Sequence, residues 1–227
     1  MKLHGQNRRS PYWIVRAYYW LANRFYHELA WLFDTCTKVL TFGGISRWRR
    51  LALKYLPDSR VLDVGCGTGD LLLELSSSTI EVFGLDFSTG MQKVMAKKVQ
   101  RRGMNIPFIL GSAHRQPFVS GWFHAVVTTF PSDFVTDPEV IEDIARIVRP
   151  VNGTQPPNSG RLVVVGMCLC SNNPLVHKIL CALYNSSPER LLESFANLVK
   201  EVGFNVVTFM HGTGIFRVPV IVAEKLG

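Results

Sequence analysis

Apolar positions along this chain change period repeatedly, and each change marks the edge of an element. Val61, Leu62 and Val64 form a short apolar run ended by Gly65, Gly67 and Gly69, after which Leu71, Leu72, Leu73 and Leu75 follow a helical pattern. Residues 60–75 therefore predict strand, tight turn and helix. Ile80 to Leu85 is a second apolar run closed by Asp86, and Ser88 stands where it can cap a helix reaching about Arg102. Ile106 to Leu110 predicts a third strand and Phe123 to Thr129 a fourth, and Pro138 to Val148 places Ile141, Ile144 and Val148 on one helical face. Leu162 to Val165 is apolar without interruption and predicts a central fifth strand. Leu175 to Tyr184 predicts a mostly apolar helix, and Pro188 to Val202 one that buries Leu192, Phe195, Leu198 and Val199. Asn205 to Met210 and Phe216 to Ala223 predict a terminal hairpin, in which Pro219, unable to donate to a ladder, is expected at an edge or a bulge. The alternation predicts an α/β fold: a doubly wound, mostly parallel seven-stranded sheet with an antiparallel C-terminal hairpin strand.

The 227 residues suit one structural domain, with residues 57–227 as its body and 1–56 as helices packed on it. Arg149-Pro150 stops a helix, and Val151 to Gly160 reads as a surface loop. The first 60 residues hold 11 Lys or Arg against 3 Asp or Glu, and the remainder holds 14 of each, so the whole excess of +8 lies at the N-terminus. Pro11 to Phe33 carries 9 of the 25 aromatic residues, among them Tyr12, Trp13, Trp20, Tyr26 and Trp31. Arg16, Arg24, His27, Glu28, Asp34 and Lys38 interrupt it too often for a bilayer-spanning helix. An amphipathic helix with aromatic rings and cations suits a membrane interface. Thr37 to Leu56 adds Arg47, Arg49, Arg50 and Lys54, with a break at Gly43-Gly44, and each cation near an anionic surface contributes about 1 kcal/mol. Cysteines at 36, 66, 168, 170 and 181 form no Cys-x-x-Cys pair and no zinc spacing, so no metal is expected. A scattered set of five and the absence of a secretory signal predict a cytoplasmic protein, peripheral at a membrane surface.

The chemistry concentrates at the glycine turn. In a dinucleotide fingerprint the third glycine falls three positions after the second, where this chain has Asp70. Asp63 and Asp70 flank the turn, a setting that repels a pyrophosphate and tolerates a ligand with a cationic centre and an ammonium group. Asp86, 21 residues beyond Gly65, closes the second strand where a carboxylate can accept both ribose hydroxyls. Cys66 reads as a small packing side chain rather than a nucleophile.

Arg-Val-Leu-Asp-Val-Gly-Cys-Gly-Thr-Gly from Arg60, Gly-Leu-Asp-Phe-Ser-Thr-Gly-Met from Gly84, and Ile-Val-Arg-Pro followed by Gly-Arg-Leu-Val-Val-Val resemble the core of class I S-adenosylmethionine-dependent methyltransferases over about residues 45–225. Tyr26 to Asp34 and Arg47 to Leu53 are similar to the quinone C-methyltransferase and phospholipid N-methyltransferase branch. The resemblance implies S-adenosyl-L-methionine as cofactor and S-adenosyl-L-homocysteine as product, under a lid of N-terminal helices. It implies that Asp63 approaches the cofactor's amino group, that Gly65, Cys66, Gly67, Thr68 and Gly69 lie against its methionine part, and that Asp86 holds the ribose. Phe87 and Met91 would flank adenine, Ser112 and Ala113 would meet its edge, and Thr129 would lie near the methionyl end. Ser112 replaces the acid common at that position, the loop before Gly160 is longer than the usual Pro-Gly-Gly turn, and Phe130 to Asp133 matches no base-methylating Asn-Pro-Pro-Tyr. The last departure, and the interleaving of the arginines with bulky apolar groups, count against nucleic acid.

Methyl transfer from a sulfonium needs alignment in a dry pocket more than a base. For a phenol or an acidic carbon the candidate bases are Tyr26, His114, Asp133, His177 and His211. The expected activity is methylation of a lipophilic small-molecule or lipid acceptor, quinone-like or phospholipid-like, with an anionic membrane surface as partner. A methyltransferase of a soluble metabolite, an RNA-associated cofactor-binding protein and a non-catalytic scaffold are the competing readings.

Overall fold

The computed structural model describes residues 44–76, 79–150, 160–212 and 215–226. The expectations for Pro11 to Phe33, Tyr26 among them, for the helix boundary before Gly44 and for the loop 151–159 fall outside these residues. Seven strands form one sheet: β1 (Val61–Val64), β2 (Val82–Asp86), β3 (Phe108–Leu110), β4 (Ala125–Thr129), β5 (Arg161–Val165), β6 (Phe204–His211) and β7 (Val218–Lys225). Their order is β3-β2-β1-β4-β5-β7-β6, with β1 to β5 parallel and β7 antiparallel to both neighbours. The order reverses between β1 and β4, which opens a crevice at their C-terminal ends.

The apolar runs become strands because both faces of the sheet are covered. One face packs Leu71, Leu72, Met95 and Val99, from α2 (Asp70–Leu75) and α3 (Thr89–Arg101), against Val61, Val127 and Val163. The other packs Ile141, Ile144, Phe195 and Val199, from α4 (Pro138–Ile147) and α6 (Pro188–Glu201), against Leu62, Val126 and Val164. Alternate residues of each strand thus serve opposite cores, and each fully buried Leu, Ile or Val contributes about 1.5–3 kcal/mol. Two further helices, α1 (Gly44–Arg49), which runs into a 3-10 turn at Arg50–Lys54, and α5 (Pro174–Tyr184), lie nearer the crevice end. Side-chain caps fix several starts: Ser88 accepts from the Met91 N–H at 3.3 Å, Asp137 from that of Glu139, Asn173 from that of Leu175 and Ser187 from that of Arg190.

Two expectations need correction. Phe123 pairs only in an isolated bridge with Val148, outside the sheet, so the fourth strand starts at Ala125. Pro219 sits at neither an edge nor a bulge but within β7, between β5 and β6, opposite Met210. Its carbonyl accepts from the Gly166 N–H at 2.9 Å, so its nitrogen points the same way, toward the end of β5. The β6 ladder therefore loses no donor.

Candidate active site

Three glycines with positive φ (72°, 54° and 78° at Gly65, Gly67 and Gly69) turn the chain from β1 into α2. The turn is tied to the next strand, because the Gly65 and Cys66 N–H groups donate to the Leu85 carbonyl at 2.7 and 3.2 Å. Asp86 completes the tie: its carboxylate accepts from the N–H of Gly67 and of Ser88, both at 2.8 Å. Glycine turn and ribose-type carboxylate are thus one hydrogen-bonded unit.

A cavity of about 230 Å³ opens beside this unit, between Leu85, Asp86 and Phe87, the segment Gly111 to His114, and a wall from Phe130 to Phe134. A smaller one, about 60 Å³, lies on the other side of Gly65 and Phe130, against Ile45, Arg49, Asp70 and Thr129. Phe130 divides the two. It has φ of 51°, a left-handed conformation that a bulky residue adopts only when its surroundings hold it there. Its N–H donates to the Val165 carbonyl at 2.7 Å, and its ring lies 6.4 Å from that of Trp48 on α1.

Charge is distributed unevenly around the turn. Asp63 is buried, its Oδ1 makes no hydrogen bond among the described residues, and burial pushes its carboxyl up to about 7 against the opposing pull of Arg49. Asp86 adds a smaller upward push. Asp70 is paired twice, to Arg49 at 2.7 Å and Lys98 at 2.6 Å, and Lys98 also donates to Thr68 Oγ1 at 2.9 Å. Burial alone would raise the Asp70 carboxyl, but Lys98 and Arg49 hold it below the usual range. Arg49, with a side chain 13% exposed, therefore turns toward Asp70 and the smaller cavity, away from the surface. Burial, with Asp63 and Asp86 nearby, pushes the Cys66 thiol upward and keeps it protonated, as suits a packing residue.

The remaining sequence-derived candidates separate into two groups. Phe87 is half-exposed at the large cavity, with Ser112, Ala113, His114 and Asp133 on its walls, and Thr129 lines the small one. His114 is held on both sides, Nδ1 at 3.2 Å from Ser112 Oγ and Nε2 at 3.0 Å from Asp137. Met91 does not belong with them. It is fully buried in the first turn of α3, where its N–H donates to Ser88 Oγ at 3.3 Å, and it is on the wall of neither cavity. His177 lies 3.4 Å from Cys181 on α5, and His211 3.0 Å from Tyr55 at the end of β6, neither on the cavity walls. Sequence reasoning missed Trp48, Lys98, Phe130 and Phe134, and it assigned Arg49 to the wrong partner. The only signal for Arg49 was its place in a cationic stretch just ahead of a turn flanked by acids.

Residues 61–151 match the family model described as a methyltransferase domain. The chain is 31% identical over 184 residues to the demethylmenaquinone methyltransferase of Mycolicibacterium vanbaalenii, an alignment that covers 76% of this chain and 72% of that relative. The chain belongs to the class I S-adenosylmethionine-dependent methyltransferases. To the demethylmenaquinone methyltransferase of Thermus thermophilus it is 34% identical over 147 residues, or 62% of this chain and 63% of that one. Two further relatives of the same name are spanned over 55% and 57% of their length. The fold matches an S-adenosylmethionine-dependent methyltransferase of Methanosarcina mazei with a TM-score of 0.57 at 19% identity, over 78% of this chain and 97% of that one.

The residues present fit the methyltransferase cofactor, S-adenosylmethionine. Among the described residues, Asp63 Oδ1 is a buried acceptor with no partner, suited to an ammonium donor, and a Cβ built at Gly67 meets nothing within 4 Å. Asp86, a carboxylate at the C-terminal end of β2 on the cavity wall, suits hydroxyl donors.

Proposed function

We propose that the chain transfers a methyl group to a lipophilic, quinone-like acceptor, mainly by aligning it in a dry cleft. The observation that carries this reading is the aromatic wall: Phe130 and Phe134 face the glycine turn, and Trp48 stands against Phe130. The curated relatives named as demethylmenaquinone methyltransferases support the same acceptor class. When bound, the cofactor supplies an activated methyl on a sulfonium with a thioether as leaving group.

The chain's own residues hold and align. Asp86 takes the ribose, Phe87 an adenine face, Ser112 and Ala113 the adenine edge, and Asp63 the amino group behind the turn formed by Gly65, Cys66, Gly67, Thr68 and Gly69. Thr129 and Arg49 border the methionyl end, where Arg49 brings positive charge toward a carboxylate. Flat apolar rings exclude water and stack an acceptor ring, which converts a bimolecular encounter into an oriented one. Of the described candidate bases, His114 and Asp133 border the cleft and can take up a proton released by the acceptor. α1 carries Trp48 against Phe130 and Arg49 to the smaller cavity.

The test is to incubate the chain with methyl-labelled cofactor and, in parallel, demethylmenaquinol, phospholipid vesicles and an aqueous cell extract. Label is expected in the quinol. Label confined to water-soluble products overturns the lipophilic reading while leaving the methyltransferase family intact.

A further inference from the structure

Helix α5 carries a single formal charge, Lys178, in its eleven residues. A helix this apolar belongs inside a protein, yet of its residues only Leu180 is buried. Leu175, Ile179 and Leu183 are 69%, 51% and 73% exposed. Their four-residue spacing sets them in one stripe about 12 Å long. The loop before β7 lengthens the stripe with Ile215 and Phe216, both exposed. It is fastened beside the start of α5: Ser171 Oγ donates to the Ile215 carbonyl at 2.6 Å, and Arg217 donates to Asn172 Oδ1 at 2.9 Å.

The charges carried by these segments themselves have one sign. No Asp or Glu occurs from Gly166 to Pro188 or from Phe204 to Ala223, while Lys178 is exposed and Arg217 stands at the margin. The acid nearest in sequence, Glu189 at the start of α6, approaches the first turn of α5, its carboxylate 3.9 Å from His177. The patch also shares an end of the sheet with the cleft, since Gly166, leaving β5 toward α5, is packed against Phe130. Among the described residues no helix is long and apolar enough to cross a membrane.

We propose that the stripe Leu175, Ile179, Leu183, Ile215 and Phe216 is a docking surface for an anionic lipid bilayer, distinct from the N-terminal segment. The helix lies in the interface plane with its apolar side among the acyl chains, and Lys178 and Arg217 meet the headgroups. Seated in this way, the cleft opens beside the bilayer, and a lipophilic acceptor reaches it without passing through water. The surface extends the reading of the acceptor but is tested without it.

The full chain is floated with phosphatidylcholine vesicles, with and without phosphatidylglycerol, and compared with Leu175→Ser/Ile179→Ser/Leu183→Ser. The triple variant is expected to lose about thirtyfold in partitioning to anionic vesicles, and Lys178→Gln about fivefold. Calorimetric binding of S-adenosylhomocysteine, unchanged in the variants, shows that the fold is kept. Where the triple variant loses that binding, Ile179→Ser alone decides, with an expected loss of about threefold. Flotation equal to that of the parent overturns the proposal. So does a parent dimer that the triple variant converts to monomer while flotation stays the same, which assigns the stripe to a second copy. Methyl transfer is not read, so failure here is separate from failure of the acceptor reading.

Discussion

The Phe130 ring occupies the space that a side chain at position 166 would need. A Cβ built on Gly166 falls 2.6 Å from Phe130 Cδ1, and both residues have positive φ, 70° and 51°. Two strand ends are therefore locked together: β4 hands over to a strained phenylalanine whose ring is admitted only because the residue after β5 is a glycine. This lock gives the cleft its dividing wall.

Gly166→Ala is accordingly expected to displace that wall. Strain at positive φ and the clash together cost about 2–4 kcal/mol, read as a lowered denaturation midpoint. Because the displaced ring borders both cavities, turnover falls further than stability explains, and the loss persists at temperatures where the variant is fully folded. Full specific activity in a folded Gly166→Ala protein removes Phe130 from the alignment argument.

Gly67 and Gly69 share a turn but face different neighbours, which separates binding from folding. A Cβ at Gly69 falls 2.7 Å from Met95 Cγ, in the core under α3, whereas one at Gly67 meets nothing. Gly69→Ala is expected to destabilise by about 2–3 kcal/mol. Gly67→Ala, carrying only the backbone cost of about 1 kcal/mol, keeps its fold and weakens S-adenosylhomocysteine about tenfold or more by intruding on the open side of the turn. Denaturant titration and calorimetry of the two variants, side by side, check the contrast.

Local spacing made most of the frame legible. The five apolar runs and the glycine turn are patterns of consecutive residues, and Asp86 stands 21 positions beyond Gly65, so all of them are written in sequence order. What escaped was set by distant packing. Phe130 looked like the end of a strand, and nothing local indicates that Gly166, 36 residues on, leaves room for its ring. Arg49 sat in a cationic stretch that suggested a membrane, and only the fold shows Asp70 and the crevice drawing it inward. Pro219 was misplaced for a similar reason: which side of a strand a residue's nitrogen faces depends on register.

The pairing of Asp70 with both Arg49 and Lys98 predicts a specific acid sensitivity. Its carboxyl is held below its unfolded value of 3.8, so the stabilisation is present above that pH and is lost as the pH falls through the folded value. Asp70→Asn is expected to cost about 1–3 kcal/mol at neutral pH, since two cations lose a partly buried partner, and to flatten the decline of stability below about pH 4. Denaturation curves at neutral and acid pH measure both. An unchanged acid limb in the variant removes Asp70 as its source.

Asp63 works in the opposite sense and in a different window. Burial raises its carboxyl from 3.8 to about 7, so between those values the folded chain binds more protons than the unfolded one. The sign follows: without cofactor, stability from this group falls as pH rises from about 4 to about 7 and then levels, by up to about 4 kcal/mol. An ammonium donor at the orphaned Oδ1 favours the ionised form, so S-adenosylhomocysteine should bind more tightly as pH climbs through 7, by no more than about tenfold per unit. Asp63→Asn should flatten both profiles, raising the stability of the cofactor-free chain at pH 8 while weakening the ligand there. Melting curves and calorimetry across pH 5 to 8 give the two slopes, and a variant that keeps the parent's slopes shows that another group titrates behind the turn.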